Sequence, residues 1–409
     1  MGDLLWPGDH RAGDLLTDAA VVTVMIRVEH AWLTALAETG LARITVPAPD
    51  ELAGLVTPDD LPALARDAES GGNPLIPLLK LLRARLRGRN TAAAGWLHKG
   101  LTSQDVVDTA IVLGLREAVA RVRGALLAQT GALSRLADEH RETRMAGRTL
   151  TQHAVPITFG LKAAGWLTGV LDARDQLAAA AHLPIQVGGA AGSLAAPVAL
   201  AGDPVRAAEL VAVAARELGL PQRFPWQTSR APLTRVADAF VTCTDAWGRI
   251  ANDVLVGSRP EIHELIEGGA EGKGGSSAMP NKRNPVHAVL IKRAALAGPP
   301  LAALIHAGAA AAVDERPDGG WHVEWSTLRT LARHTVTAGA QTAELLAGLR
   351  VDTGRMLATL HDARPEIDAE QQSITPGVAP DQPYLGATDA IIDAALARAT
   401  AAPEKGLSC

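Results

Sequence analysis

The chain has 409 residues, 47% of them hydrophobic and 20% charged, with a formal net charge of −5 and no block of like charges. That much apolar side chain can bury a large core over more than one domain, while the mild acidity and lack of basic clusters argue against a nucleic-acid partner. Aromatic residues are only 3%, and alanine and leucine fill the space instead, which favours helix packed on helix over sheet on sheet.

The two cysteines, Cys243 and Cys409, lie far apart in no metal-ligand pattern, and a reducing, cytoplasmic compartment is expected. The start, MGDLLW, has no basic segment leading into an apolar run, so no signal peptide is expected. Its Trp6 stands where a myristoylation motif needs Ser or Thr, and the final GLSC is not a prenylation box. The most apolar stretch, LAALIHAGAAAAV (301–313), is too short to span a membrane.

Up to about residue 100 the pattern predicts short helices divided by turns such as TVPAPD (45–50) and SGGNP (70–74). In LTSQDVVDT (101–109), Thr102 and Asp105 have the spacing of a capping box at a helix start. The hydroxyls of Thr102 and Ser103 beside free backbone N–H groups also make a carboxylate site there, since a cap and an anion site share one geometry. From Val112 to Leu136, apolar positions alternate spacings of three and four, predicting one long helix over about 106–143. Ile111, Ala118, Ala125 and Ala132 add a second small-residue stripe, and a helix apolar on two sides is expected to need cover from a partner chain.

Next comes GRTLTQHAVPITFG (147–160), in which Arg148, Thr149, Gln152 and His153 form a compact anion-binding set. Long helices are then expected near 157–181, 233–256, 286–308 and 323–349, with Pro232 in a first turn and Pro299–Pro300 kinking or breaking theirs. Between the second and third lies GKGGSSAMPNKRNP (272–285). Its glycines permit a mobile loop, yet it does not match a phosphate loop and no strand precedes it. Lys282 can pair with a carboxylate while the Asn284 amide donates a hydrogen bond to it. Shorter helices follow, with a loop at TPGVAPDQP (375–383). The expected division is an N-terminal helical domain (1–104), a central long-helix bundle (105–342) and a small C-terminal helical domain (343–409).

GGSSAMPNKRNP resembles the signature loop of the fumarase/aspartase superfamily, and TSQDVVDT and GRTLTQHAVP resemble its other two shared regions, in the same order. The resemblance implies an all-α, three-domain protomer and a homotetramer with active sites shared between subunits. It further implies reversible elimination from succinyl-type polycarboxylates without metal or organic cofactor. Ser276 matches the general base, an assignment that needs nearby positive charge to favour the alkoxide. Lys282 and Asn284 match the residues that hold the aci-carboxylate formed as the proton leaves. Thr102, Ser103 and Thr149 match carboxylate-binding positions, and His153 matches the general acid of adenylosuccinate lyases.

Two departures bear on the branch. Fumarases and several relatives carry a histidine directly after GRT and a glutamate seven residues beyond the loop lysine; here those positions are Leu150 and Val289. PWQTSRAPLTRVADA (225–239), RAALAGPPLAALIH (293–306) and ERPDGGWHVEW (315–325) instead resemble the 3-carboxy-cis,cis-muconate cycloisomerase branch, which lactonises a tricarboxylate diene in protocatechuate degradation. There the nucleophile is a carboxylate already ionised at neutral pH, so no base is needed to activate it. Arg148, Arg230, Lys282 and Arg316 are the cations available for three carboxylates. A lyase of the same superfamily, adenylosuccinate-type or releasing another amine or a nitro group, is the nearer alternative. A non-catalytic helical scaffold is the other, and the intact Ser276, Lys282 and Asn284 argue against it.

Overall fold

The computed structural model describes residues 2–269, 274–279, 281–377 and 384–401. Gly272 and Pro280 of the signature loop, residues 378–383 and Cys409 lie outside the described residues. In chain order the elements are α1 (Asp18–Glu38), α2 (Pro49–Ala53), α3 (Leu61–Gly71), α4 (Leu75–Arg87), α5 (Thr91–Trp96), α6 (Ser103–Glu139), β1 (Arg144–Thr149), β2 (Gln152–Thr158), α7 (Phe159–Ala180), α8 (Ala195–Ala201), α9 (Pro204–Leu218), α10 (Ala231–Gly257), β3 (Leu265–Ile266), α11 (Val286–Ala310), α12 (Gly319–Gly348), β4 (Arg350–Val351), α13 (Thr353–Asp362), α14 (Arg364–Ile374) and α15 (Thr388–Thr400). Among the described residues the fold is all-α apart from two small antiparallel strand pairs, β1–β2 and β3–β4.

Five long helices make the central bundle, and cross-contacts give their directions. Asp108 of α6 meets Trp321 of α12, and further along Gln129 meets Gly339, so these two helices run parallel. α7 starts where α6 ends, with Gly160 N donating to His140 O, and its chain returns to Thr109 through Gln186. α10 leaves from Arg230 beside Asp108 and ends against Leu265. α11 starts beside Glu267 and passes close to Gly320 at Gly308, antiparallel to α10 and α12.

The start of α6 follows from its cap. Thr102 N donates to Asp105 Oδ2 at 2.9 Å, and the same carboxylate accepts Gly188 N and Gly189 N at 2.8 and 3.1 Å. Asp105 therefore caps a helix and pins the 186–189 segment at once. Burial pushes its pKa up to about 6, against the lowering effect of these N–H donors.

The apolar seam of α6 is buried, but not in the way its pattern suggests. Val112, Leu115, Val122, Leu126, Gln129 and Leu133 are fully buried within a single chain, covered by α1, α7 and α12. Each such leucine or valine contributes about 1.5–3 kcal/mol. Gln129 sits in the seam with both amide ends satisfied, donating to Gly339 O and accepting from Trp247 Nε1. It thereby ties three helices together. The expectation that α6 needs a partner chain for cover is thus corrected.

The surplus apolar face belongs to α11. This helix has a mean hydropathy of 1.5 over its most apolar window, yet only 33% of that window is buried. Val289, Leu296 and Leu304 are exposed along it. By length and composition α1 and α11 could each cross a membrane, but α1 packs on α6 and α9, and α11 lies against α10 and α12.

Of the two expected outcomes at Pro299 and Pro300, a break does not occur: α11 is continuous through both. Both prolines are exposed, and α10 and α12 hold the helix on its packed side. α6 begins at Ser103 and α12 ends at Gly348, so divisions at 104 and 342 would each fall inside a helix.

Candidate active site

At the α6 start, Thr102 and Ser103 are half-buried. Arg316 Nη1 donates to Thr102 Oγ1 at 3.1 Å while its guanidinium lies over the Trp321 ring, 5.3 Å from the centroid. Arg316 makes no ion pair among the described residues, so its charge is uncompensated and beside the cap. The hydroxyl of Thr102, already accepting from Arg316, keeps its proton to donate.

Arg230 is corrected as a substrate-binding residue. Its side chain is 1% exposed. Nη1 and Nη2 donate to Asp108 at 2.6 and 3.0 Å, and Nε and Nη2 donate to Glu324 at 3.1 and 2.5 Å. Burial works against the guanidinium's charge, and the two carboxylates more than offset it, raising its pKa. Burial likewise raises the pKa of Glu324. Trp321 Nε1 and Gln104 Nε2 also donate to Asp108, so this network supports the ring on which Arg316 rests.

A nearby histidine escaped the sequence analysis. His98 holds a left-handed φ of 65°, and its Nδ1 lies 2.7 Å from Oε1 of the fully buried Glu29. A histidine in such backbone strain beside a buried carboxylate is a site signal. The only sequence cue was WLHKG directly ahead of the first shared region.

The second region forms a β-hairpin rather than the approach to a helix. Arg148 pairs across it with His153, and Thr149 with Gln152. The turn residues Leu150 and Thr151 have φ of 48° and 72°, which a type I′ turn requires and which Asn–Gly normally supplies. Leu–Thr carries no such cue, hence the missed hairpin. Leu150, standing where relatives carry histidine, points outward at 96% exposure.

Arg148 departs from its expected role too. Its two terminal nitrogens form a fork with Glu264, at 2.8 and 2.7 Å, and Glu264 is buried. The pair ties the hairpin to the segment ahead of β3. Thr149, Gln152 and His153 are exposed at the hairpin tip, and Gln152 Nε2 donates to Thr151 Oγ1. His153 lines a cleft of about 650 Å³ between the hairpin, the end of α10 and α13.

In the signature loop, Gly274 takes φ of 77°, and its carbonyl accepts from both N and Nδ2 of Asn284 at 2.8 and 3.1 Å. The asparagine thus clamps the loop base. Ser276 is half-buried, and its Oγ accepts from Ala278 N and Met279 N at 3.3 and 3.2 Å. Two N–H donors favour negative charge on that oxygen. The first turn of α11 is already occupied, because Glu267 accepts from His287 N and Ala288 N. Lys282 is exposed.

These residues fall at opposite ends of the bundle. Thr102, Ser103 and Arg316 lie at the α6 start; the hairpin and the signature loop lie at the other end. The 25 residues of α11 connect Asn284 to the Arg316 side, a span of about 37 Å at 1.5 Å per residue. One chain cannot bring all three regions to one substrate. Among the described residues no three His, Cys, Asp or Glu side chains gather to hold a metal ion.

A family model described as "Lyase" matches residues 70–297. The chain is 45% identical over 353 residues to the nitrosuccinate lyase of Streptomyces davaonensis, covering 84% of this chain and 73% of that protein. It is 38% identical over 389 residues to the 3-carboxy-cis,cis-muconate cycloisomerase of Bradyrhizobium diazoefficiens, covering 94% and 84%. Among solved structures, the 3-carboxy-cis,cis-muconate lactonizing enzyme from Pseudomonas putida superposes with a TM-score of 0.80 at 28% identity, covering 95% of this chain and 96% of that one. The sequence similarity and the shared fold, with the signature loop on its helical frame, establish that the chain is an enzyme of the fumarase/aspartase superfamily.

Proposed function

We propose that the protein is a cycloisomerase of the 3-carboxy-cis,cis-muconate type, which lactonises a tricarboxylate diene to γ-carboxymuconolactone in the cytoplasm as a step of protocatechuate breakdown. The observation that carries this reading is the superposition on the lactonizing enzyme of Pseudomonas putida over 95% of this chain and 96% of that one; Leu150 and Val289, exposed where fumarases hold a histidine and its glutamate, are compatible with it. A carboxylate attacking its own diene needs neither a base to activate it nor an acid to release a leaving group.

In this mechanism Lys282 and Asn284 hold the carboxylate whose α-carbon gains charge, stabilising the aci-carboxylate as it forms. The Asn284 amide exchanges Gly274 O for the substrate as the loop closes. Ser276 delivers the proton to the α-carbon, its oxygen then held by Ala278 N and Met279 N. Thr102, Ser103 and Arg316 of a second protomer take another carboxylate, with Thr149 and Gln152 as further polar contacts and His153 orienting the substrate. The assembly is a homotetramer, its contacts built on the exposed apolar face of α11.

A second reading is favoured by the 45% identity to a nitrosuccinate lyase. Elimination of nitrite from a nitrodicarboxylate uses the same aci-carboxylate, and nitrite leaves as an anion without protonation, so Leu150 and Val289 suit it equally. The test supplies 3-carboxymuconate and nitrosuccinate separately, following loss of diene absorbance and release of nitrite. Diene loss without nitrite release is expected; rapid nitrite release with inert muconate transfers the assignment to the lyase. Ser276→Ala should abolish either activity, whereas His153→Gln should cost on the order of 10²-fold or less. Substantial turnover by folded Ser276→Ala refutes the mechanism.

A further inference from the structure

Glu264 neutralises Arg148, the cation the second region was expected to offer. The cleft beside His153 nevertheless contains a cation without such a partner. Arg259, just past the end of α10, lines that cleft together with Thr151 and His153. It is exposed, and its side chain makes no hydrogen bond or ion pair among the described residues.

The other charged groups of the cleft sharpen its role. Arg355 is fixed as a strut, with Nε donating to Ile262 O at 2.9 Å and Nη2 to Glu261 O at 2.7 Å. Glu261 and Asp362 face the same space, and neither pairs with Arg259. These two carboxylates repel an anion placed loosely in the cleft. A carboxylate is accepted only where it reaches the Arg259 fork directly, as a planar two-point contact. Attraction at one point set against repulsion around it is a specificity device.

We propose that Arg259 is a further substrate-binding residue. It takes a carboxylate remote from the carbon where the proton moves, and so sets a preference for three carboxylates over two. The inference rests on the reading above only in placing His153 at the substrate, because Arg259 follows His153 into whatever site the hairpin joins.

The test measures binding of two non-reacting anions, tricarballylate and succinate, by titration calorimetry on the intact enzyme and on Arg259→Gln and Arg259→Lys. Arg259→Gln is expected to weaken tricarballylate about tenfold or more, as loss of a charge-assisted contact does, while succinate shifts less than about twofold. Arg259→Lys, which keeps charge without the fork, should lie between. In turnover the glutamine variant should raise KM with kcat nearly unchanged. Equal weakening of both anions marks a structural effect and overturns the proposal, as does an unchanged affinity for both. If the enzyme is inert toward carboxymuconate yet shows this anion selectivity, Arg259 keeps its role and only the choice of reaction falls.

Discussion

Arg230→Met should destabilise the protein without any direct effect on substrate contacts. Among the described residues the guanidinium is the sole cation between Asp108 and Glu324, whose side chains are 0% and 1% exposed. Once it is gone, Asp108 retains donors from Trp321 and Gln104, but Glu324 loses each of its hydrogen bonds. Breaking a buried pair in this way costs about 3–5 kcal/mol, a large part of the roughly 5–15 kcal/mol that holds a domain together. Burial already raises the Glu324 pKa, and removal of Arg230 raises it further, so the variant should suffer least at acid pH, where that carboxyl is neutral. Urea unfolding at fixed protein concentration, at neutral and acid pH, measures both effects. Neutralising the whole set, with Asp108→Asn and Glu324→Gln added, should recover more than half of the loss, because replacing a buried ionic group entirely is often close to neutral. An unchanged unfolding midpoint with lost substrate affinity would show that Arg230 reaches the substrate after all, and would refute this account.

The remaining expectations concern the loop, the interface and pH. Gly274→Ala should disable the loop while leaving the bundle folded, since a Cβ there would clash with Asn284 O on a left-handed backbone; normal kcat with unaltered circular dichroism would count against the clamp. Leu296→Lys, on the 70%-exposed rung of α11, should yield smaller and inactive species in sedimentation, and an unchanged size would place the interface elsewhere. His334 stacks on Trp6 with ring centroids 3.4 Å apart, and burial pushes its pKa down to about 4 from 6.5. Between those values the unfolded chain binds more protons than the folded one, so stability falls as pH drops through that window, by about 2 kcal/mol at pH 5. His334→Phe should flatten this slope, and an identical slope would assign it to other groups.

The long helices were legible because each repeats one local rule, apolar every third or fourth residue, over many turns. The capping box at Thr102 and Asp105 was legible for the same reason, as its partners are three residues apart. The hairpin was not, because its register depends on pairing 144–149 with 152–158 while its Leu–Thr turn has none of the usual residues. His98 was missed because its partner Glu29 is 69 positions away.

Charge shows the divide most clearly. Composition and motif alone determined an all-α enzyme frame, the signature loop and the identity of its Ser276, Lys282 and Asn284, because those residues are contiguous and their types carry the chemistry. Which arginines remain available to a substrate was decided only by tertiary structure. Arg148 and Arg230 are neutralised by Glu264, Asp108 and Glu324, and Arg316 and Arg259 are not. An arginine's electrostatic role depends on what lies within a few ångströms of its guanidinium, and those neighbours come from 94 to 122 positions away. The apolar surplus followed the same logic. The sequence placed it on α6, the most regular helix, but packing covered α6 and left α11 bare, because exposure is a property of the finished arrangement of helices rather than of any one of them.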